Sequence, residues 1–350
     1  MSIDHILTYE GIAGKCHVAC DETQRPIQLF YAPFSQTSNS AYPGQNLRAI
    51  VRASAAGEGG SFLQSETGET LFLSHNRSVN LVEGERCEVF CLSSARRGKY
   101  ARVRLLRDDD VIYASSEGAW NAGFVQIANA KIIDTPESHL LIDDILESMC
   151  TPVATLPSGG RLTIAPTEAL VAVDVDTAGR KSSSAGSAGI QSINVEAANE
   201  LARQICLRDL GGAIVLDCVG QIRKSQGHAL RRAFLDTFKT MSLRTVEALP
   251  PSKFGLMEIA IAWGRQPIHE RLLDDNQRLH PDTELWQALR RLECEAAQRR
   301  MEQLVLELPE DAFALFQSRR VDYMQRIKAR FGSRIDVRLS SRQRIEVTSR

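Results

Sequence analysis

The chain has 350 residues, long enough for two or three domains with real cores. Its 42 basic and 43 acidic side chains leave a net charge of −1, which excludes a global polycation, so any surface for a polyanion must be a local patch balanced by acid elsewhere. Eight cysteines, none in a Cys-x-x-Cys pair, argue for a reducing compartment rather than a disulfide framework, and no apolar run approaches the roughly twenty residues needed to cross a bilayer.

The N-terminus carries acid at Asp4 and no basic stretch ahead of an apolar core, so it does not read as a secretory signal. The expected location is cytoplasmic, with no membrane attachment. From Met1 to about Leu106 the pattern is short strand-like runs divided by glycine: Ile27–Tyr31, Leu47–Val51, Leu71–Leu73, Cys87–Cys91 and Tyr100–Arg104. Regular short strands with Gly, Ser and Asn turns predict a small barrel, and the five-stranded oligonucleotide-binding (OB) barrel is one such fold. Phe62 follows Gly59-Gly60, which suits a bend that exposes its ring, and Arg96, Arg97 and Lys99 form a basic turn. Single-stranded nucleic-acid sites use such pairings, rings for the bases and cations for the phosphates. The plainer alternative puts Phe62 and Phe72 in the core and leaves the basic turn solvated. Cys16-His17-x-x-Cys20 has no matching second half and does not make a zinc site.

Residues 107–157 read as a connecting region, with a helix predicted from Thr135 to Met149. The central stretch is more regular. One apolar run leads through Leu170–Val173 to Asp174-Val175-Asp176, and a second, Ala213–Leu216, ends on Asp217. Between them lie a Gly/Ser-rich loop from Ala178 to Gln191 and a helix from Val195 to Leu210, with a start signal at Asn194 and a stop at Gly211. The loop either closes over a phosphate backbone or is an insert without fixed structure. Strand, helix, strand at this spacing is compatible with a parallel crossover. A second helix is predicted from Ser225 to about Leu243, then strands at Val246–Leu249 and Phe254–Ile261. After Leu273 the expected order is a helix from Asp282 to Met301, a strand at Gln303–Leu308, one helix from Pro309 to Phe331 and strands at Arg334–Leu339 and Arg344–Val347.

The chemistry follows from the period of a strand. Positions i and i+2 share a face, so Asp174 and Asp176 project together. If the two apolar runs lie side by side, Asp217 joins them and three carboxylates converge at one sheet edge. Such charges repel unless a cation joins them, and clustered oxygen ligands suit Mg2+, with Mn2+ as the alternative. The competing reading is that Asp176 caps a turn and Asp217 merely ends a strand.

Taken together, Leu156-Pro157-Ser158-Gly159-Gly160, Thr167-Glu168-Ala169-Leu170, Val173–Thr177, Asn194–Ala198, Ala202-Arg203-Gln204, Leu207–Gly212, Ile214–Asp217 and Phe254–Glu258 resemble the catalytic core of the ribonuclease E/G family. The resemblance is close over residues 156–260 and looser on either side. It implies an α+β multidomain protein: N-terminal strands at 1–39 left from a ribonuclease H-like lobe, an OB-fold-like RNA-binding barrel at 40–106, a connecting region at 107–157, a DNase I-like α/β catalytic domain at 158–270 and a small C-terminal α/β domain at 271–350. It implies a Mg2+-dependent endoribonuclease acting in RNA processing on single-stranded RNA, leaving a 5′ phosphate and a 3′ hydroxyl. The family's catalytic, metal-binding acids fall on Asp174 and Asp217, and its third metal-site residue, usually Asn, falls on Asp176. Its base-gripping aromatic pair falls on Phe62 and Phe72, and two RNA-contacting basic residues fall on Lys99 and Arg244.

Two departures qualify the resemblance. The family's large 5′-monophosphate sensor has only residues 107–157 to occupy its place, so the sensor is expected to be absent. The family's paired-cysteine zinc link is replaced by Pro267–Leu273, so any homo-oligomer forms without it. The leading expectation is a reduced-form endoribonuclease. The alternatives are a catalytically inactive RNA-binding protein on the same scaffold and a metal-dependent phosphatase acting on small substrates.

Overall fold

A computed structural model describes residues 3–36, 40–55, 57, 59–74, 81–123, 130–177 and 187–349. The chain opens with an antiparallel meander, β1 (His5–Glu10), β2 (Gly14–Cys20) and β3 (Pro26–Pro33). Five strands then close a barrel: β4 (Asn46–Ala55), β5 (Gly60–Ser65), β6 (Thr70–Ser74), β7 (Arg86–Ser93) and β8 (Ala101–Leu105), in the order β4-β5-β6-β8-β7. Alternation explains the closure. Leu63, Leu71, Leu73, Val89, Cys91, Ala101 and Val103 face inward, while the residues between them face out.

The connecting region is not a linker. After α1 (Ser116–Ala122) it supplies β9 (Lys131–Ile133), which runs parallel to β1 and completes a sheet of order β3-β2-β1-β9. Helix α2 (Pro136–Met149) follows, at the predicted position, with Thr135 and Ser138 capping each other reciprocally and Pro136 in its first turn.

The central sheet has the order β10-β11-β12-β13-β15-β14. Its strands are β10 (Val153–Thr155), β11 (Arg161–Pro166), β12 (Val171–Asp176), β13 (Gly212–Asp217), β14 (Val246–Ala248) and β15 (Leu256–Ile261). The expected crossover is present: α3 (Ser187–Leu207) carries the chain from β12 to β13, and the two strands are parallel. Helix α4 (Lys224–Met241) buries Leu230, Phe234, Phe238 and Met241. Both helices cover one face only, where Val171, Val173, Val175, Ile214 and Leu216 are buried among Ala198, Leu201, Ala202 and Ile205. On the other face Ala172, Asp174, Ala213, Asp217, Leu256, Glu258 and Ala260 are exposed.

Helix α3 begins earlier than expected. Asn194 lies inside it and is buried, and its amide accepts the Val219 N–H (2.8 Å) and donates to the Val219 carbonyl (3.0 Å). An Asn that reads locally as a helix start is here a long-range clamp. Of the loop expected at 178–191, residues 178–186 lie outside those described, and the remainder is the first turn of α3.

The C-terminal part consists of α5 (Ile268–Leu272), α6 (Pro281–Gln298), β16 (Leu304–Leu308), α7 (Glu310–Ser318), α8 (Arg320–Phe331), β17 (Ile335–Leu339) and β18 (Glu346–Ser349). The single helix expected over 309–331 is two, because Arg319 leaves helical geometry (φ −128°, ψ 30°) and its guanidinium donates to the Phe34 carbonyl. A boundary at 271 does not hold either. Leu285, Trp286, Leu289, Leu304 and Leu306 share one core with Tyr9, Val18 and Tyr31 of the N-terminal sheet. No helix among the described residues is long and apolar enough to cross a membrane, and all eight cysteines are free thiols.

His269 on α5 gives this core a pH dependence. Burial, reinforced by Arg97 and Arg208, pushes its imidazole down to about 4 from 6.5. Between those values the unfolded chain takes up a proton that the folded chain refuses, so stability falls as pH drops, by at most about 3 kcal/mol. Urea midpoints at pH 7 and pH 4.5 should differ less in His269→Gln than in the parent chain. An unchanged difference would remove His269 as the cause.

Candidate active site

The parallel register of β12 and β13 places Asp174 directly opposite Asp217. Neighbouring strands lie about 4.8 Å apart, so the two carboxylates stand side by side, within reach of one cation. Both are exposed on the uncovered face of the sheet. Thr163 on β11 flanks Asp174, and Leu256 on β15 flanks Asp217.

Asp176 lies on the same face, two residues on, and is turned sideways. Arg161, its register partner on β11, places a guanidinium nitrogen 2.8 Å from its carboxylate. The described residues contain no group of three or more His, Cys, Asp or Glu side chains placed to hold a metal. The expected convergence of three carboxylates is therefore a pair, Asp174 with Asp217, and an ion-paired neighbour. Gly160 sets the spacing here: its φ is +89°, and a Cβ on it would meet the Asp176 carbonyl oxygen at 2.7 Å.

The end of β13 is fixed from two sides. Asn194 holds Val219 as described, and the Cys218 N–H donates to the Gly255 carbonyl at 3.1 Å. Gly255 belongs to the turn before β15, which carries Phe254 with 88 % of its surface exposed. Neither the clamp nor the exposed ring beside the acids was anticipated from sequence. The exposure is visible only once the turn is built.

On the barrel, Phe62 and Phe72 are cross-strand partners whose ring centroids lie 5.5 Å apart at 61°. Phe62 sits in β5 rather than at a bend. The bend is Gly59, at φ +69°. Both rings are half-buried on the outer surface, outside the barrel core. Tyr100 extends them, edge-on to Phe62 with a centroid distance of 5.5 Å and 51 % exposed, and Arg102, exposed, lies opposite Phe72 in the register of β6 and β8. Sequence reading missed these last two, although both share the outward phase of the predicted strand Tyr100–Arg104.

The basic turn divides by role. Lys99 is exposed on a tight turn closed by reciprocal Arg96–Lys99 backbone hydrogen bonds of 3.0 and 2.8 Å. Arg96 stacks on Trp263 at 3.9 Å, the Arg97 N–H donates to Glu270 at 2.7 Å, and the Arg97 guanidinium meets Asp275 at 2.7 Å. These contacts join the barrel to the central and C-terminal parts. Trp263 lies so close over Gly212 that a Cβ there would meet its ring at 2.6 Å, which explains the glycine pair after α3. The Arg244 guanidinium donates to the carbonyls of Leu210 (2.7 Å) and Ile205 (3.3 Å), at the C-terminal end of α3, where a cation also suits the helix dipole.

Residues 123–262 match the model of the Ribonuclease E/G family. Ribonuclease E of Escherichia coli (strain K12) is 34 % identical over 123 residues, 35 % of this chain and 12 % of that protein. Ribonuclease E of Buchnera aphidicola subsp. Acyrthosiphon pisum is 24 % identical over 262 residues, 68 % of this chain and 27 % of that one. A ribonuclease E/G-like chloroplastic protein of Arabidopsis thaliana is 34 % identical over 122 residues, 34 % of this chain and 12 % of that protein. The chain thus spans about a quarter or less of the length of these relatives. A solved multidomain protein with nucleic acid binding domains from Streptococcus pneumoniae overlaps 32 % of this chain and 44 % of its own at a TM-score of 0.18 and 17 % identity, too low to carry an argument.

Proposed function

Since residues 123–262 are a ribonuclease E/G family domain, we propose that this protein is an endoribonuclease that hydrolyses internal phosphodiester bonds of single-stranded RNA at Asp174 and Asp217. The observation that carries this is the register pair itself: two carboxylates side by side on an open sheet face, where a polynucleotide can lie across them.

The donor set fits magnesium, which is commonly held by one or two carboxylates, with waters and substrate phosphates completing its shell. Asp174 and Asp217 would hold it, and Mn2+ is the alternative. Bound there, such an ion supplies Lewis acidity toward the phosphate and an activated water. The chain's own residues do the rest. Asn194 and Gly255 fix the backbone behind Asp217, so its carboxylate is presented without reorganisation. Arg161 neutralises Asp176, which lowers the repulsion that substrate phosphate meets beside the pair. We read the half of the central sheet around the β12-α3-β13 crossover as the DNase I-like catalytic unit.

The barrel is read as OB-like. Its strand order, with β6 parallel to β8, is that of a five-stranded Greek-key barrel, and in that fold the second and third strands face the oligonucleotide. Those strands are β5 and β6, which carry Phe62 and Phe72. The rings and Tyr100 would stack on bases while Lys99 and Arg102 follow the phosphates. Phe62→Ala and Phe72→Ala are each expected to weaken binding of an unstructured oligoribonucleotide by about 1–3 kcal/mol, and Phe→Trp to retain it. Fluorescence anisotropy reads this directly, and unchanged affinity would move the RNA surface off β5 and β6.

The deciding experiment is cleavage of a 5′-labelled unstructured oligoribonucleotide with magnesium and with EDTA. Internal cuts that need the metal support the nuclease. Retarded but uncut RNA in every lane would turn the reading to a catalytically inactive RNA-binding protein on the same scaffold.

A further inference from the structure

Where the barrel meets the N-terminal sheet and α5 lies an open cleft of about 630 Å³, within the size range of small-molecule sites. Its charged lining is Arg96, Arg97, Arg265 and Arg271 with Glu270 and His280. Two of the arginines have acids of their own: Arg97 pairs with Asp275 and Arg265 with Asp209 (2.9 Å). The other two do not. Arg271 donates to the Tyr31 carbonyl and lies over the Tyr31 ring at 5.3 Å, and Arg96 is stacked on Trp263. Neither forms an ion pair with a carboxylate among the described residues, and the Arg96 Nη1 is buried without a hydrogen-bond partner.

Arg96 and Arg271 are half-buried, and guanidinium groups partly withdrawn from water without counter-ions carry a cost unless something answers them. Burial pushes both Arg96 and Arg271 below the usual arginine range, the direction expected of cations short of solvent and of anions. The planar fork of a guanidinium matches a phosphate bidentately. With Asp275 and Asp209 answering Arg97 and Arg265, and Glu270 on the wall, the group keeps one positive charge in excess, the sign such a ligand needs.

We propose that this cleft is a phosphate-binding site, in which Arg96 and Arg271 grip the phosphate oxygens and Glu270 sets the affinity from the wall. The site is separate from the Asp174–Asp217 pair and does not depend on the nuclease reading. The phosphate is either a free anion or one carried by a nucleotide.

Because Arg96 lies on Trp263, the intrinsic fluorescence of the full chain reports occupancy, with Trp263→Phe as the control that assigns the signal. Titration with inorganic phosphate against chloride at equal ionic strength should give a saturable change. Arg96→Gln should weaken it by roughly tenfold or more, the worth of a charge-assisted hydrogen bond. Glu270→Gln should tighten it by about threefold, the effect of removing one negative charge at about 6 Å in water-like dielectric. The gain cannot come from misfolding, and Gln keeps the oxygen that accepts the Arg97 N–H. Asp217→Asn should leave phosphate binding unchanged, which separates this site from the proposed catalytic one. Adenosine 5′-monophosphate and a 5′-hydroxyl oligoadenylate identify the source. Tighter binding than inorganic phosphate, with the same dependence on Arg96, assigns a nucleic-acid phosphate, and equal or weaker binding assigns a free anion. No saturable change up to roughly 10 mM, or a change indifferent to both Arg96→Gln and Glu270→Gln, overturns the proposal.

Discussion

Asp217→Asn and Asp174→Asn are each expected to slow RNA cleavage by roughly 10³-fold, about 4 kcal/mol of transition-state stabilisation, while RNA affinity stays within about twofold. The asymmetry follows from geometry. The two carboxylates face each other across β12 and β13 on the open face, so in the proposed site each supplies half of the charge, and Asn keeps the shape while removing it. On the proposed reading the bases are held elsewhere, on the barrel face where Phe62, Phe72 and Tyr100 lie edge to edge. Asp176→Asn should behave differently. Its carboxylate is spent on Arg161, and the resemblance to the ribonuclease E/G family puts an Asn there, so a change within about fivefold is expected, an energy of about 1 kcal/mol. Single-turnover cleavage at saturating protein, with magnesium titrated for each variant, measures all three. Undiminished cleavage by both Asp174→Asn and Asp217→Asn would remove the pair from the chemistry.

Glu293→Ala is expected to destabilise the fold by about 3–5 kcal/mol, the usual cost of removing one partner from a buried charged network. Glu293 on α6 is buried and takes four hydrogen bonds or ion pairs: from the Tyr9 hydroxyl (2.7 Å), the Ile12 N–H (3.2 Å), Arg290 (2.9 Å) and Arg330 (2.9 Å). Arg290 in turn holds Asp143 of α2 at 3.0 Å. One carboxylate therefore ties β1, α2, α6 and α8 together. Burial, with the Glu293 charge beside it, pushes the Tyr9 hydroxyl far above the usual tyrosine range, so that ring stays a neutral donor. Glu293→Gln, which keeps an acceptor, should lose less than the Ala variant. Urea denaturation followed by far-UV circular dichroism measures both. A loss below about 1 kcal/mol for Ala would show that the N-terminal sheet and α6 are held by apolar contacts alone.

The amino-acid sequence by itself determined what local periodicity can carry. The apolar run made β12 readable as a strand, but as one buried on both faces, whereas only Val171, Val173 and Val175 are covered and Ala172 and Asp174 are exposed; the apolar stripe of α4 and the start of α2 at Thr135 were readable as well. Element order was compatible with the crossover from β12 to β13, and the register that sets Asp174 opposite Asp217 came only with the assembled sheet. Three-dimensional packing decided the rest, because it depends on partners distant in the chain that no local window contains. Asn194 has the composition of a helix cap, yet Val219 claims its amide inside α3. Arg244 looks like a free cation along the chain, and the carbonyls of Ile205 and Leu210 occupy it, while Trp263 covers one face of Arg96. Residues 271–350 have the pattern of an independent unit, but their apolar faces share one core with Tyr9, Val18 and Tyr31 of the N-terminal sheet and with Ile142 and Leu146 of α2. A short apolar stripe states that it must be covered and is silent on what covers it. That choice is made by the sum of burial across the whole chain, which is why the acids were legible and their surroundings were not.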